Sequence, residues 1–81
     1  MSKHVTNKTL LKLGIYQHYK DNFYQVLHLA KHSETAEVLV VYRALYGEYG
    51  VWVRPLTMFC ETVNIAGEAK PRFKLIQEIS S

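Results

Sequence analysis

The chain has 81 residues, enough for one domain and one core; a domain of this size buries about 60–65% of the surface its unfolded chain exposes. Its composition is 48% hydrophobic and 21% charged, which excludes the charge-rich, apolar-poor class of disordered chains. Ten Lys/Arg stand against seven Asp/Glu for a net charge of +3, and the basic residues are scattered singly, unlike the concentrated basic face of a dedicated nucleic-acid module.

Residues 1–13 read as an N-terminal arm or short helix, with Leu10, Leu11 and Leu13 as apolar anchors. They show no apolar core of a secretory signal. Asn7-Lys8-Thr9 matches the glycosylation sequon, a chance match where no export signal accompanies it. The domain proper is expected over residues 14–81. Ile15–Tyr19 forms a strand and Lys20-Asp21-Asn22 a tight turn, since Asp and Asn tolerate positive φ. Phe23–Lys31 is ambiguous: Phe23, Val26, Leu27 and Ala30 fit helical spacing, while Tyr24, Val26, His28 and Ala30 fit the two-residue repeat of a strand. The preceding turn and the β-prone run that follows favour a strand.

Ala36–Leu45 is the surest strand. Val38, Val40 and Tyr42 lie on one side and Leu39 and Val41 on the other, so it belongs inside a sheet. The loop Tyr46–Gly50 leads into Val51–Arg54, a short strand that Pro55 ends by removing an amide donor. One helical turn over Leu56–Phe59, a strand over Cys60–Ile65, a turn over Ala66–Lys70 centred on Gly67 and a closing strand over Arg72–Ile76 complete the chain. This is a mainly β pattern: about five or six short antiparallel strands, expected to close as a small SH3-like barrel. The longest apolar run, Val38–Tyr42, is far below the roughly 20 residues needed to cross a bilayer, so no membrane partner is expected. A single Cys60 permits no internal disulfide and points to a reducing cytoplasm, with the thiol as a small buried hydrophobe.

An ordered set of motifs runs through this pattern: Gly14-x-Tyr16-x-His18-Tyr19-Lys20, Tyr24-x-Val26, His32-Ser33-Glu34-Thr35, Val40-Val41-Tyr42-Arg43-x-Leu45-Tyr46, Trp52-Val53-Arg54-Pro55, Met58-Phe59-x-Glu61 and Pro71-Arg72-Phe73. Over Gly14 to Ile76 the chain resembles the small bacterial proteins of domain-of-unknown-function family 1653. Asp21 departs from the pattern, standing where such proteins tend to have glycine. The resemblance implies a compact bacterial domain and carries no assigned biochemical role.

Four histidines invite a metal reading. On a strand, however, His28 and His32 lie roughly 13 Å apart at about 3.3 Å per residue, too far to share one ion. No CxxC or HExxH motif accompanies them, and neither metal nor cofactor is expected. Adjacent His32 and Ser33 point to opposite sides of an extended chain and make a poor catalytic dyad. Gly47-x-x-Gly50 lacks the Lys-Ser/Thr of a phosphate loop and reads as a hairpin turn.

The best candidate site is the set of rings and guanidinium groups: Tyr46, Trp52 and Phe59 with Arg43 and Arg54, and with His18 and His32 at the rim. Tyr42 and Tyr49 belong to the same cluster. Arg43 falls with Leu39 and Val41, and Arg54 with Trp52. A half-buried guanidinium needs a carboxylate or a ligand, and Glu34, Glu37 and Glu61 are the available internal partners. These residues lead to a non-enzymatic binding module, monomer or homodimer, that recognises a peptide or small anionic ligand. The alternatives are single-stranded RNA bound by the same face plus Lys70, Arg72 and Lys74, a structural subunit, or a small enzyme with a histidine-containing site.

Overall fold

The computed structural model describes residues 11–79; most of the expected N-terminal arm or helix lies outside them. The described residues hold seven antiparallel strands and one helical turn: β1 (Gly14–His18), β2 (Phe23–Lys31), β3 (Val38–Ala44), β4 (Val51–Pro55), α1 (Leu56–Phe59), β5 (Thr62–Ile65), β6 (Glu68–Pro71) and β7 (Phe73–Glu78). Five strands form one sheet in the order β4-β3-β2-β1-β7, and β5 and β6 pair separately as a hairpin. The protein is therefore mainly β, with β6 added to the strands expected; the turn there is only Ala66-Gly67.

The first strand and turn follow the sequence closely. Gly14 adopts φ 152, and a Cβ there would fall within 3.0 Å of the Gln77 carbonyl oxygen and the Glu78 Cα, so β1 can approach β7 only with glycine at this point. Asp21 takes φ 82 in the turn that returns the chain to β2, a left-handed conformation that glycine adopts without steric cost and Asp tolerates. Residues 11–13 of the arm pack onto the body: Leu11 and Leu13 lie against the core, and the Tyr16 hydroxyl donates to the Lys12 carbonyl at 2.6 Å.

The register of β2 with β3 shifts between Val26 and His28, so one extra residue, Leu27, is accommodated as a bulge. The bulge reverses the alternation: Val26 and Leu29 both face the core, and His28, which strict two-residue spacing would place beside Val26, is exposed.

Register assigns one face of the sheet to Tyr16 and His18, Tyr24 and Val26, Val40 and Tyr42, Trp52 and Arg54, and Phe73, because directly opposed residues share a side. A flat sheet would hold β4 and β7 roughly 19 Å apart at about 4.8 Å per strand. Yet the Arg54 guanidinium lies 5.7 Å from the Phe73 ring centre, and the Tyr42 and Phe73 rings are 5.9 Å apart. The sheet is thus strongly curled, with these residues inside the curve. No ladder joins β4 to β7, so the closure expected of an SH3-like barrel has no counterpart in the strand pairing.

Core residues Tyr16, Val26, Leu29, Val40, Tyr42, Phe59 and Phe73 fill the concavity. Pro55 ends β4, and the single turn of α1 that follows drops Phe59 into it, 1% exposed. The Phe59 ring stacks on Phe73 at 4.0 Å with an interplanar angle of 2°. Such burial contributes about 1.5–3 kcal/mol per large apolar side chain.

Candidate functional site

The rings on the concave face divide into a floor and a rim. Phe59, Phe73, Tyr16 and Tyr42 form the floor; Tyr42 meets Phe59 edge-on at 5.6 Å and Phe73 at 5.9 Å. Tyr24 stands over them, 5.5 Å from both Tyr42 and Phe73 and nearly perpendicular to Phe73. From the loop after β3, Tyr46 reaches back so that its hydroxyl lies 2.8 Å from that of Tyr24. Burial first, and then this hydrogen bond, push the Tyr24 phenol up to about 12, so it remains a neutral hydroxyl across the physiological range.

His18 sits opposite Phe73 in the β1–β7 register, with its ring 4.9 Å from the Phe73 ring. Its Nδ1 accepts the Lys20 backbone N–H at 3.1 Å, which leaves the proton of the neutral ring on Nε2. Burial holds His18 below the ordinary histidine range, and the nearby charges of Arg72, Arg54 and Lys20 add to that shift. All three charges acting on this imidazole are positive.

Arg54 is half-buried on the same face. Its Nε donates to the Tyr42 hydroxyl at 3.3 Å, and its guanidinium carbon lies over the Phe73 ring. Ion pairs among the described residues join Lys12 to Glu78, Lys70 to Glu68 and Arg72 to Glu61, so Arg54 has no carboxylate partner there. Glu61, one of the internal partners considered for it, is held instead by Arg72 at 2.9 Å. The Arg72 Nε is buried without a hydrogen-bond partner. The cup therefore combines aromatic walls, a neutral imidazole and a partly desolvated guanidinium whose terminal nitrogens are paired with no anion among the described residues.

Arg54 and His18 both reach the Phe73 ring, Tyr46 reaches Tyr24, Trp52 shares the strand face of Arg54, and the other candidates lie apart from these. Trp52, opposite Tyr42 in the ladder, is 60% exposed at the open side of the cup. Arg43 is exposed, opposite Val51 on the outer face, and needs no internal counterion; the expectation of a buried guanidinium is corrected because β3 packs its core on one side only. His32 lies in the β2–β3 turn, about eight residues or roughly 26 Å along β2 from Tyr24. There its Nδ1 accepts the Glu34 and Thr35 backbone N–H groups at 3.1 and 3.4 Å, a turn-closing role. Phe59 lies beneath the cup, sealed from solvent. Cys60, expected to be buried, is exposed. Sequence reasoning passed over Tyr24 and Phe73 as parts of the site, although the Tyr24-x-Val26 spacing sets Tyr24 on the face of Val26.

Lys70 and Lys74 lie elsewhere. Lys74 is opposite Gln17, on the far side of the sheet from Trp52, and both lysines line a groove of about 450 Å³ with His18, Tyr19, Asp21 and Ile65 between β1 and the β5–β6 hairpin, so His18 borders this groove as well as the concave face. Among the described residues no cluster of three or more His, Cys, Asp or Glu could hold a metal ion, and no helix is long and apolar enough to cross a membrane.

Comparison with known proteins extends the picture to a family. The comparison with curated proteins gives no match. A crystal structure of a DUF1653 protein from Bordetella bronchiseptica is similar at 37% identity, covering 88% of this chain and 94% of that one, with a TM-score of 0.77. The family model described as "Protein of unknown function (DUF1653)" matches residues 14–75. The motifs from Gly14 to Phe73 thus fall within that span, and the chain belongs to the DUF1653 family.

Proposed function

We propose that the concave cup is a non-catalytic recognition site for a small anion or for a carboxylate carried by a peptide. The observation that supports this reading most strongly is Arg54: a half-buried guanidinium fixed by Tyr42 and Phe73, with no carboxylate beside it among the described residues. Burying part of a cation without a partner is costly, and an incoming carboxylate or phosphate oxygen removes that cost. The neutral His18 Nε2–H supplies a second donor, and Tyr46 and Trp52 offer ring faces to a planar group beside the anion. Single-stranded RNA, the second reading, keeps the rings and Arg54 but loses Lys70 and Lys74, which lie away from Trp52.

The test is an NMR titration with inorganic phosphate and with an acetylated dipeptide bearing a free C-terminal carboxylate. Shifts should concentrate at Arg54, His18, Tyr46 and Trp52, and Arg54→Gln should weaken binding about tenfold or more, the scale of one hydrogen bond to a charged group. Affinity should rise as pH falls through the His18 pKa, because protonated imidazole adds a positive charge. Saturable shifts at Lys70, Lys74 and His18 that spare Arg54, Tyr46 and Trp52, or none in the cup with either probe, would remove the reading.

A further inference from the structure

Among the described residues β4 is an open edge of the sheet, and three of its residues are unusually bare: Val51 is 48% exposed, Trp52 60% and Val53 56%. Natural edge strands are commonly protected by charge, by a bulge or by a covering element. Val51-Trp52-Val53 carries no charge, and the β3–β4 register runs through it without a shift. The hydrogen-bond phase fixes what this edge offers. The Ala44 N–H donates to the Gly50 carbonyl, so the opposed pairs that bond across β3–β4 are Ala44 with Gly50, Tyr42 with Trp52 and Val40 with Arg54. The amides and carbonyls of Val51 and Val53 must then point away from β3, and neither residue spends them on a turn or loop bond.

We propose that two copies of this chain associate edge to edge through β4, antiparallel about a two-fold axis at Trp52, to make one continuous ten-stranded sheet. The strand is self-complementary in that alignment. Val51 of each copy faces Val53 of the other, so their outward N–H and C=O groups bond reciprocally. Trp52 faces its own copy in the non-bonded register, where Cα atoms approach to about 4.5 Å, and the two indoles lie side by side on the inner face. On the outer face the valines meet valines. Left-handed Tyr49 (φ 58) and Pro55 stand three residues before and after Trp52, so the same alignment ends the ladder at both sides. Charge fits as well: Arg54 faces Gly50 rather than another arginine, and the turn carrying Glu48 of one copy meets the Arg54 end of the other. Two-fold pairing uses each β4 edge once and closes. The proposal does not depend on the anion site.

Sedimentation equilibrium from about 1 µM to about 1 mM should show a monomer–dimer equilibrium. Trp52 is the only tryptophan in the chain, so the dimer should also develop an exciton-coupled indole band in circular dichroism in step with dimer formation. Val53→Pro deletes an outward N–H that β3 does not use and should give a folded monomer without that band. Val51→Lys, at an exposed position, should do the same if the proline variant fails to fold. A wild type that stays monomeric through 1 mM, a dimer that survives Val51→Lys, assemblies larger than two, or a dimer lacking the exciton band would each overturn the proposal.

Discussion

Tyr42 and Trp52 occupy one rung of the β3–β4 ladder, on the same face of the sheet, yet Tyr42 is 6% exposed and Trp52 60%. Both are large, β-prone aromatic residues, and the difference comes from position. Tyr42 has a strand on either side and the Phe59–Phe73 stack above it, whereas among the described residues no strand pairs beyond Trp52. The curl of the sheet converts this gradient into a division of labour, with a sealed aromatic floor that stabilises and an open rim, anchored to it through Tyr42 and Arg54, that can meet a ligand. For this pair, the neighbours on the concave face decide burial more than the chemistry of the ring does.

The comparison breaks if floor and rim respond alike to truncation. Phe59→Ala removes a fully buried ring stacked at 4.0 Å on Phe73 and should cost about 3–5 kcal/mol in chemical denaturation. A smaller effect is linked to pH. The His18 pKa is depressed in the folded state, so the unfolded chain takes up the proton first as pH falls. Stability should be full above about 6.5, the ordinary histidine value, decline below it and level off once the folded-state pKa is passed. His18→Gln should remove that step, as followed by melting temperature against pH. Trp52→Ala, at the rim, should change monomer stability by no more than about 0.5 kcal/mol; a loss on the Phe59 scale would mean that the rim is part of the core. Asp21→Gly relieves a left-handed φ but gains chain entropy in the unfolded state, two terms that nearly cancel, and should raise stability by only about 0.3 kcal/mol.

Local features were legible in the residues. β2 spans Phe23–Lys31 as expected, the Lys20-Asp21-Asn22 turn holds its positive φ, and the single helical turn over Leu56–Phe59 is present. Of the helix-spaced set Phe23, Val26, Leu27 and Ala30 only Val26 is buried; the bulge at Leu27 instead sets the two buried positions of β2, Val26 and Leu29, three residues apart. Arg54 was placed correctly beside Trp52 because short-strand alternation fixes that pair. Arg43 was misjudged because alternation says which residues share a face and not which face is covered. The cup was illegible for a different reason: it depends on the curl that carries Arg54 over Phe73, two residues nineteen positions apart in sequence on opposite edges of the sheet. Neither periodicity nor propensity encodes that approach.

The Arg72 amide donates to the Glu61 carbonyl at 2.9 Å, and their side chains meet at the same distance. The β5–β6 hairpin therefore departs from the body and rejoins it through one doorway, and it shares no ladder with the five-stranded sheet. Such a pendant is a natural insertion point. A reporter peptide spliced into the exposed Ala66-Gly67 tip would leave every ladder of the five-stranded sheet intact.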